Sequence, residues 1–197
     1  LGLWDEACEW ALARVLGFMR QHSSTPVCLQ LAHAGRKASC ALPWQGGAAI
    51  AGTDPLGWLP CAPSALPYTQ GDQAPVALDA VGLARVKAAF VGAARRAARL
   101  GLDCIELHSA HGYLLHEFLS PLTNVRTDAY GGSLENRMRF PLEVFAAMRA
   151  ELPQELPLGV RVSATDWAPE GRGPAWDVEE CAEYARALKG LGAAYIH

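Results

Sequence analysis

Apolar residues follow two rhythms along this chain, and the switches between them mark out its elements. Residues 4–22 place Ala11, Leu12, Val15, Phe18, Met19 and His22 at three- and four-residue intervals, which predicts an amphipathic helix ended by Pro26. Residues 27–31 are a short apolar run, as in a strand covered on both faces, with Gln30 as the polar exception. A second helix is predicted over about 80–100, N-capped by Asp79, with Val86, Phe90, Ala93, Ala97 and Leu100 along one face and Gly101 at its C-cap. Residues 103–108 read as the next strand. A turn over 126–137 runs into a third helix with Ser133 as N-cap, and at Pro141 that helix either restarts or kinks. Residues 158–163 form a third strand carrying a lone Arg161. Asp177 and Glu180 match a capping box for a helix continuing through Tyr184 and Leu188, and residues 194–197 begin a fourth strand.

Helices alternating with strands predict an α/β fold of parallel strands joined by helical crossovers. Residues 32–78 break the rhythm: six prolines and several glycines exclude long elements there. Trp44, Trp58 and Tyr68 suggest that this stretch is packed, as a lid over the carboxyl ends of the strands. It opens on His33, Arg36 and Lys37, a cationic group that either meets an anion or, as is usual for such groups, is solvated.

Composition narrows the function classes. Of the 197 residues, 17 are Lys or Arg and 20 are Asp or Glu, a balance that suggests neither nucleic acid nor an anionic membrane as a partner. No apolar run is long enough for a membrane span, and Asp5, Glu6, Glu9 and Arg14 occupy the place of a signal-peptide core, so a cytoplasmic location is expected. The six cysteines include no C-x-x-C and lie mostly in apolar segments, which predicts reduced, buried thiols. With no initiator Met and a strand interrupted at His197, the chain reads as an internal piece of a longer one.

Polar chemistry collects where the second strand stops: His108, His111 and Tyr113 fall within six positions. The cluster has three readings. The histidines are hydrogen-bonded loop residues and the tyrosine a packing ring. Or His108, His111 and His116 bind a metal, although Glu117 is the only carboxylate nearby and the spacing gives metal little support. Or the imidazoles hold a carbonyl oxygen while Tyr113 supplies a proton, which requires a cofactor for the electrons. Gln30, His108 and Arg161 all lie near the ends of strands, and His197 falls at the end of the chain. In parallel α/β proteins such positions gather on one ligand-binding face.

The strings 29–38, 106–121, 124–139 and 160–163 closely resemble the old yellow enzyme family of FMN-dependent ene-reductases, in particular its YqjM and xenobiotic reductase branch. The resemblance covers essentially the whole chain. It implies a (β/α)8 TIM barrel, of which residues 1–197 form a single partial domain over roughly the second to the sixth βα units. It also implies FMN as cofactor, NADPH or NADH as hydride donor, and reduction of enone or nitroalkene-type substrates by hydride delivered from flavin N5. By matching position, Gln30 and Arg161 contact FMN. His108 and His111 hold the substrate carbonyl, with Ser109 and Ala110 in the same substrate-binding stretch, and Tyr113 donates the proton. An electron-rich flavin edge would answer the charge of Arg161. The alternatives are a 2,4-dienoyl-CoA reductase-like flavoenzyme with an iron–sulfur cluster outside this stretch, a metal-dependent barrel hydrolase, and a non-enzymatic binding module. Homo-oligomerisation is left open.

Overall fold

The computed structural model describes residues 2–169, 171 and 173–197. In chain order it contains α1 (Glu6–His22), β1 (Cys28–Leu31), a 3-10 turn at Gly35–Lys37 and another at Pro43–Gln45, and two-residue strands β2 (Cys61–Ala62) and β3 (Val76–Ala77). There follow α2 (Ala80–Arg99), β4 (Cys104–Ser109), the short α3 (Leu114–Leu119), α4 (Leu134–Glu151), β5 (Leu158–Val162) and α5 (Val178–Gly190). The main sheet runs β1-β4-β5, all parallel. Ile196 extends it by a parallel bridge to Val160, supported by backbone bonds Ala194 N–H to Leu158 O and Val162 N–H to His197 O, each 2.9 Å. The α-helical connections between these strands give the crossover rhythm read from the sequence.

Register sorts the side chains. Leu29, Ile105 and Leu158 lie in one row and Leu31, Leu107 and Val160 in the next. Because side chains alternate along a strand, both rows share a face. There they join Val86 and Phe90 of α2, Phe140, Val144 and Met148 of α4, and Tyr184 and Leu188 of α5 in one buried core. Residues in the opposite phase form the other face: Cys28 with Cys104, Gln30 with Glu106 and Gly159, and His108 with Arg161. The Tyr195 ring lies against Gly159, where a Cβ would overlap it, and its hydroxyl reaches Cys104 Sγ at 3.2 Å and Cys28 Sγ at 3.5 Å.

The helix caps follow local chemistry. Asp79 accepts from Gly82 N–H at 2.7 Å and Ser133 from Asn136 N–H at 3.3 Å, while Gly101 takes the left-handed conformation (φ 65°) just past α2. The structure settles or corrects several of the sequence expectations. At Pro141 the helix does not restart: α4 runs through it from Leu134 to Glu151. Asp177 caps α5 through Glu180 N–H at 2.9 Å, but the Glu180 carboxylate does not return to close a capping box. It pairs instead with the buried Arg137, whose Nη1 lies 2.9 Å away and also donates to Leu119 O. In α1 the core side is Cys8, Leu12 and Leu16, whereas Val15, Phe18 and Met19 are exposed. Ala11, Leu12 and Val15 border an open apolar cleft of about 520 Å³ between α1 and α2. Finally, Trp44 and Trp58 are exposed, Trp44 at 80%, and Tyr68, also exposed, meets Arg36 and Lys37 by cation–π contact; none of the six free cysteines is fully buried. Among the described residues no helix is long and apolar enough to cross a membrane.

Removing one partner of the Arg137–Glu180 pair leaves a buried charge uncompensated. Glu180→Ala should therefore destabilise the fold by about 3–5 kcal/mol in urea unfolding followed by circular dichroism. The double change Arg137→Met with Glu180→Leu should recover part of that loss; no recovery would show that the carbonyl bonds of Arg137 matter more than its charge.

Candidate active site

The polar face of the sheet leads directly into the β4–α3 loop. His108, on the last turn of the pleat, is buried, and its Nδ1 accepts the Ala110 N–H at 3.1 Å. A neutral imidazole accepting on Nδ1 carries its proton on Nε2, so His108 presents an Nε2–H that has no protein acceptor among the described residues. Burial first, then the charges of His111 and Arg161, push its pKa down to about 4. The ring is therefore a neutral donor at physiological pH.

His111 has the left-handed conformation, φ 59°, which a side-chain-bearing residue adopts only when its surroundings hold it there. Two contacts do so. Its N–H donates to Ser163 Oγ at 2.8 Å, and its carbonyl accepts from Lys37 Nζ at 2.7 Å. The exposed imidazole is left free, 5.1 Å centroid to centroid from the His108 ring and at 76° to it. Its pKa is also lowered, by burial and then by Arg161. The Tyr113 ring lies 5.0 Å from His108, and Lys37 Nζ stands 5.8 Å from its centroid. Gly112 follows with φ 66° and donates its N–H to His116 Nδ1 at 2.8 Å.

A second layer fixes this loop. His116 Nε2 lies 3.3 Å from Asp166 Oδ1, an ion-pair distance without the alignment of a hydrogen bond. The other oxygen of Asp166 accepts from Ser120 Oγ at 2.6 Å and from Trp176 N–H at 2.9 Å, and the Trp176 indole donates to Ser163 O at 2.7 Å. The β5 loop is thus tied to α3 and to the N-terminal side of α5.

On the neighbouring strands, Gln30 Nε2 donates to Glu106 Oε1 at 2.6 Å, and Glu106 Oε2 lies 3.1 Å from His197 Nδ1. Arg161 is half-buried, in register with His108, and among the described residues it has no ion-pair or hydrogen-bond partner. A guanidinium held in a polar face without an anion suits an electron-rich ligand edge.

Five of the seven residues singled out from the sequence therefore share this face and its loop: Gln30, Arg161, His108, His111 and Tyr113. Ser109 points to the other face, fully buried, with its hydroxyl 3.2 Å from Tyr184 OH. Ala110 is also buried and contributes its backbone N–H to His108. His116 faces Asp166, and among the described residues no three His, Cys, Asp or Glu side chains are grouped to hold a metal. The cationic group is half-buried and held by the protein rather than free in solvent. Arg36 donates to Leu66 O and Pro67 O, and Lys37 lies 4.6 Å from the Tyr68 ring while holding His111.

Sequence reasoning missed Glu106 and the partner of Lys37. Glu106 was detectable, standing two positions before His108 and so on the same face of the strand; the reach of Lys37 to His111 depends on the loop path. Glu117, considered from the sequence only as a possible metal ligand, is fully buried in α3. Its Oε1 accepts the Arg36 N–H at 2.9 Å, its Oε2 has no partner, and burial pushes its pKa up to about 8. Gly35 (φ 59°) must be glycine here, since a Cβ would overlap that carboxylate.

Comparison with known proteins gives one direction. Residues 3–197 match the model of the NADH:flavin oxidoreductase / NADH oxidase family. The chain is 43% identical over 201 residues to NADH:flavin oxidoreductase FG08077 of Gibberella zeae, covering 95% of this chain and 48% of that one. It is 41% identical to NADPH dehydrogenase of Bacillus cytotoxicus, over 98% of this chain and 49% of that one. The structure of the old yellow enzyme homologue from Zymomonas mobilis superposes with a TM-score of 0.77 at 26% identity, over 99% of this chain and 53% of that one. The arc of strands is thus part of an old yellow enzyme-type (β/α)8 barrel, and the chain spans about half the length of the curated relatives it matches.

Glu117 gives the site a pH signature. Its folded pKa is raised, so its contribution to stability is full below the ordinary carboxyl value of 4.5 and is lost as pH rises to about 8, where the folded protein must release the proton that the unfolded chain has already lost. Glu117→Gln should flatten the decline in melting temperature between these limits; an unchanged profile would locate the titration elsewhere.

Proposed function

The chain belongs to the NADH:flavin oxidoreductase / NADH oxidase family, and from that premise we propose that the protein is an FMN-dependent NAD(P)H oxidoreductase reducing the C=C bond of α,β-unsaturated carbonyl or nitroalkene compounds. One observation carries this reading: two neutral imidazoles, a phenol and a guanidinium with no partner among the described residues, on one face of the sheet and the loop that leaves it. FMN fits that set. Arg161 and Gln30 would hold its electron-rich pyrimidine edge, one by charge and one by its amide. When bound, the flavin supplies the hydride, taken from NADPH or NADH.

The protein's own residues supply the rest. His108 and His111 donate hydrogen bonds to the substrate oxygen, and because negative charge grows there during reduction, these bonds strengthen toward the transition state. Their lowered pKa values keep them neutral, so they act as hydrogen-bond donors without placing a full positive charge beside the substrate. Tyr113, packed beside His108, gives its phenolic proton to the carbon next to the carbonyl. Residues 32–78 act as the lid, tied to the loop through Lys37 and Glu117.

The visible spectrum of the purified protein is the first test: oxidised flavin must be present. In the flavin-loaded protein, His108→Ala or His111→Ala should weaken binding of a phenol, which presents a comparable oxygen, by about 1–3 kcal/mol. Alkene reduction should fall on the order of 10²-fold, with a smaller effect on flavin reduction by the nicotinamide, which has no enone oxygen to stabilise. Equal, small effects on both half-reactions in rapid mixing would reduce the histidines to scaffolding. Arg161→Met should lower the two-electron potential and weaken flavin retention while the fold survives; an unchanged potential would make Arg161 structural.

A further inference from the structure

Gln30 and Glu106 are direct partners across β1 and β4, so their side chains emerge side by side on the same face, with Nε2 of the amide 2.6 Å from Oε1 of the carboxylate. The two ends of an amide have the same shape but opposite hydrogen-bonding character, and the neighbour decides which end is which. Glu106 is buried, and burial opposes its charge, but the hydrogen bonds from Gln30 and His197 outweigh this and hold its pKa below the ordinary carboxyl value. An ionised carboxylate only accepts. Turning the amide over would press its carbonyl oxygen against that anion, so Nε2 must face Glu106, and Oε1 is left without a protein donor among the described residues.

We propose that Glu106 is a positioning residue: by holding Nε2 of Gln30 it presents Oε1 as an acceptor and makes this subsite select a ligand with a ring N–H, an imide edge such as that of a flavin pyrimidine. The inference rests on the flavin reading above and adds to it a residue that touches no ligand. The strand register enforces the arrangement, since a slip of one residue would send Glu106 to the helix side. A carboxylate that merely satisfied a buried neighbour would show no preference for the ligand's N–H.

The experiment uses the protein stripped of flavin and reloaded with FMN or with 3-methyl-FMN, in which the imide N–H is replaced by N–CH₃. Affinities are read from flavin fluorescence, with no turnover required. The wild-type protein should bind FMN about ten-fold or more tightly than 3-methyl-FMN, the worth of a hydrogen bond lost with its acceptor left unpaired. In E106Q the neighbouring amide can donate or accept, Gln30 can turn, and the ratio should fall below about three-fold. E106D keeps the anion and should retain the preference, which separates orientation by charge from simple loss of packing. An E106Q ratio equal to wild type overturns the inference and leaves the flavin reading intact. So does a wild-type protein that binds both flavins equally, and this arm decides the matter even if E106Q fails to fold. A wild-type protein that takes up neither flavin overturns both.

Discussion

Parallel pairing in register is the constraint on which the rest depends. With β4 bonded on both edges, its alternate side chains are committed to opposite faces, and the rows across β1 and β5 must agree. One phase, Ile105 and Leu107, belongs to the helices and carries the hydrophobic stabilisation. The other, Glu106 and His108, is released from packing and can carry polar groups at fixed spacing beside Gln30 and Arg161. The same rule that builds the core therefore also builds the site, and it takes Ser109 out of it.

Beyond the end of β4 the sheet no longer dictates geometry, and backbone hydrogen bonds take over. The left-handed turn at His111 and Gly112 is held by Ser163, Lys37 and His116, which come from β5's loop, the connection after β1 and α3. Three separate segments thus hold one two-residue turn. That arrangement leaves the His108 and His111 rings without protein acceptors among the described residues and near each other, while burial and the nearby Arg161 charge keep them neutral. Neutral donors in a partly desolvated place are suited to an oxygen whose charge changes during a reaction.

The long connection after β1 shows how a sequence signal can be right in kind and wrong in cause. Its prolines do exclude regular structure, but its tryptophans do not anchor it. Anchoring comes from the Arg36 backbone on Glu117, the Arg36 side chain on two carbonyls, and Lys37 on His111. A fully buried carboxylate with one unpartnered oxygen is an expensive anchor, and its raised pKa is the direct sign of that.

By itself, the sequence determined the local elements and the alternation of their strands. Capping residues at Asp79, Ser133 and Asp177, the left-handed glycine after α2, and the change from a period of three to four to a period of two depend on chemistry within a few residues, and each appears where it was expected. Polar exceptions in apolar strands picked out Gln30, His108 and Arg161 for the same reason, since alternation is a local rule. Only the tertiary structure decided partners. That Glu180 serves Arg137 rather than its own helix, that α1 buries Leu16 rather than Phe18, that Lys37 holds His111, and that Glu117 lies sealed beneath Gly35 all follow from segments far apart in the chain. Burial and charge balance are properties of the assembled surroundings; the residue types were readable in order, but the pairings that set their protonation and reach exist only once the sheet has brought them together.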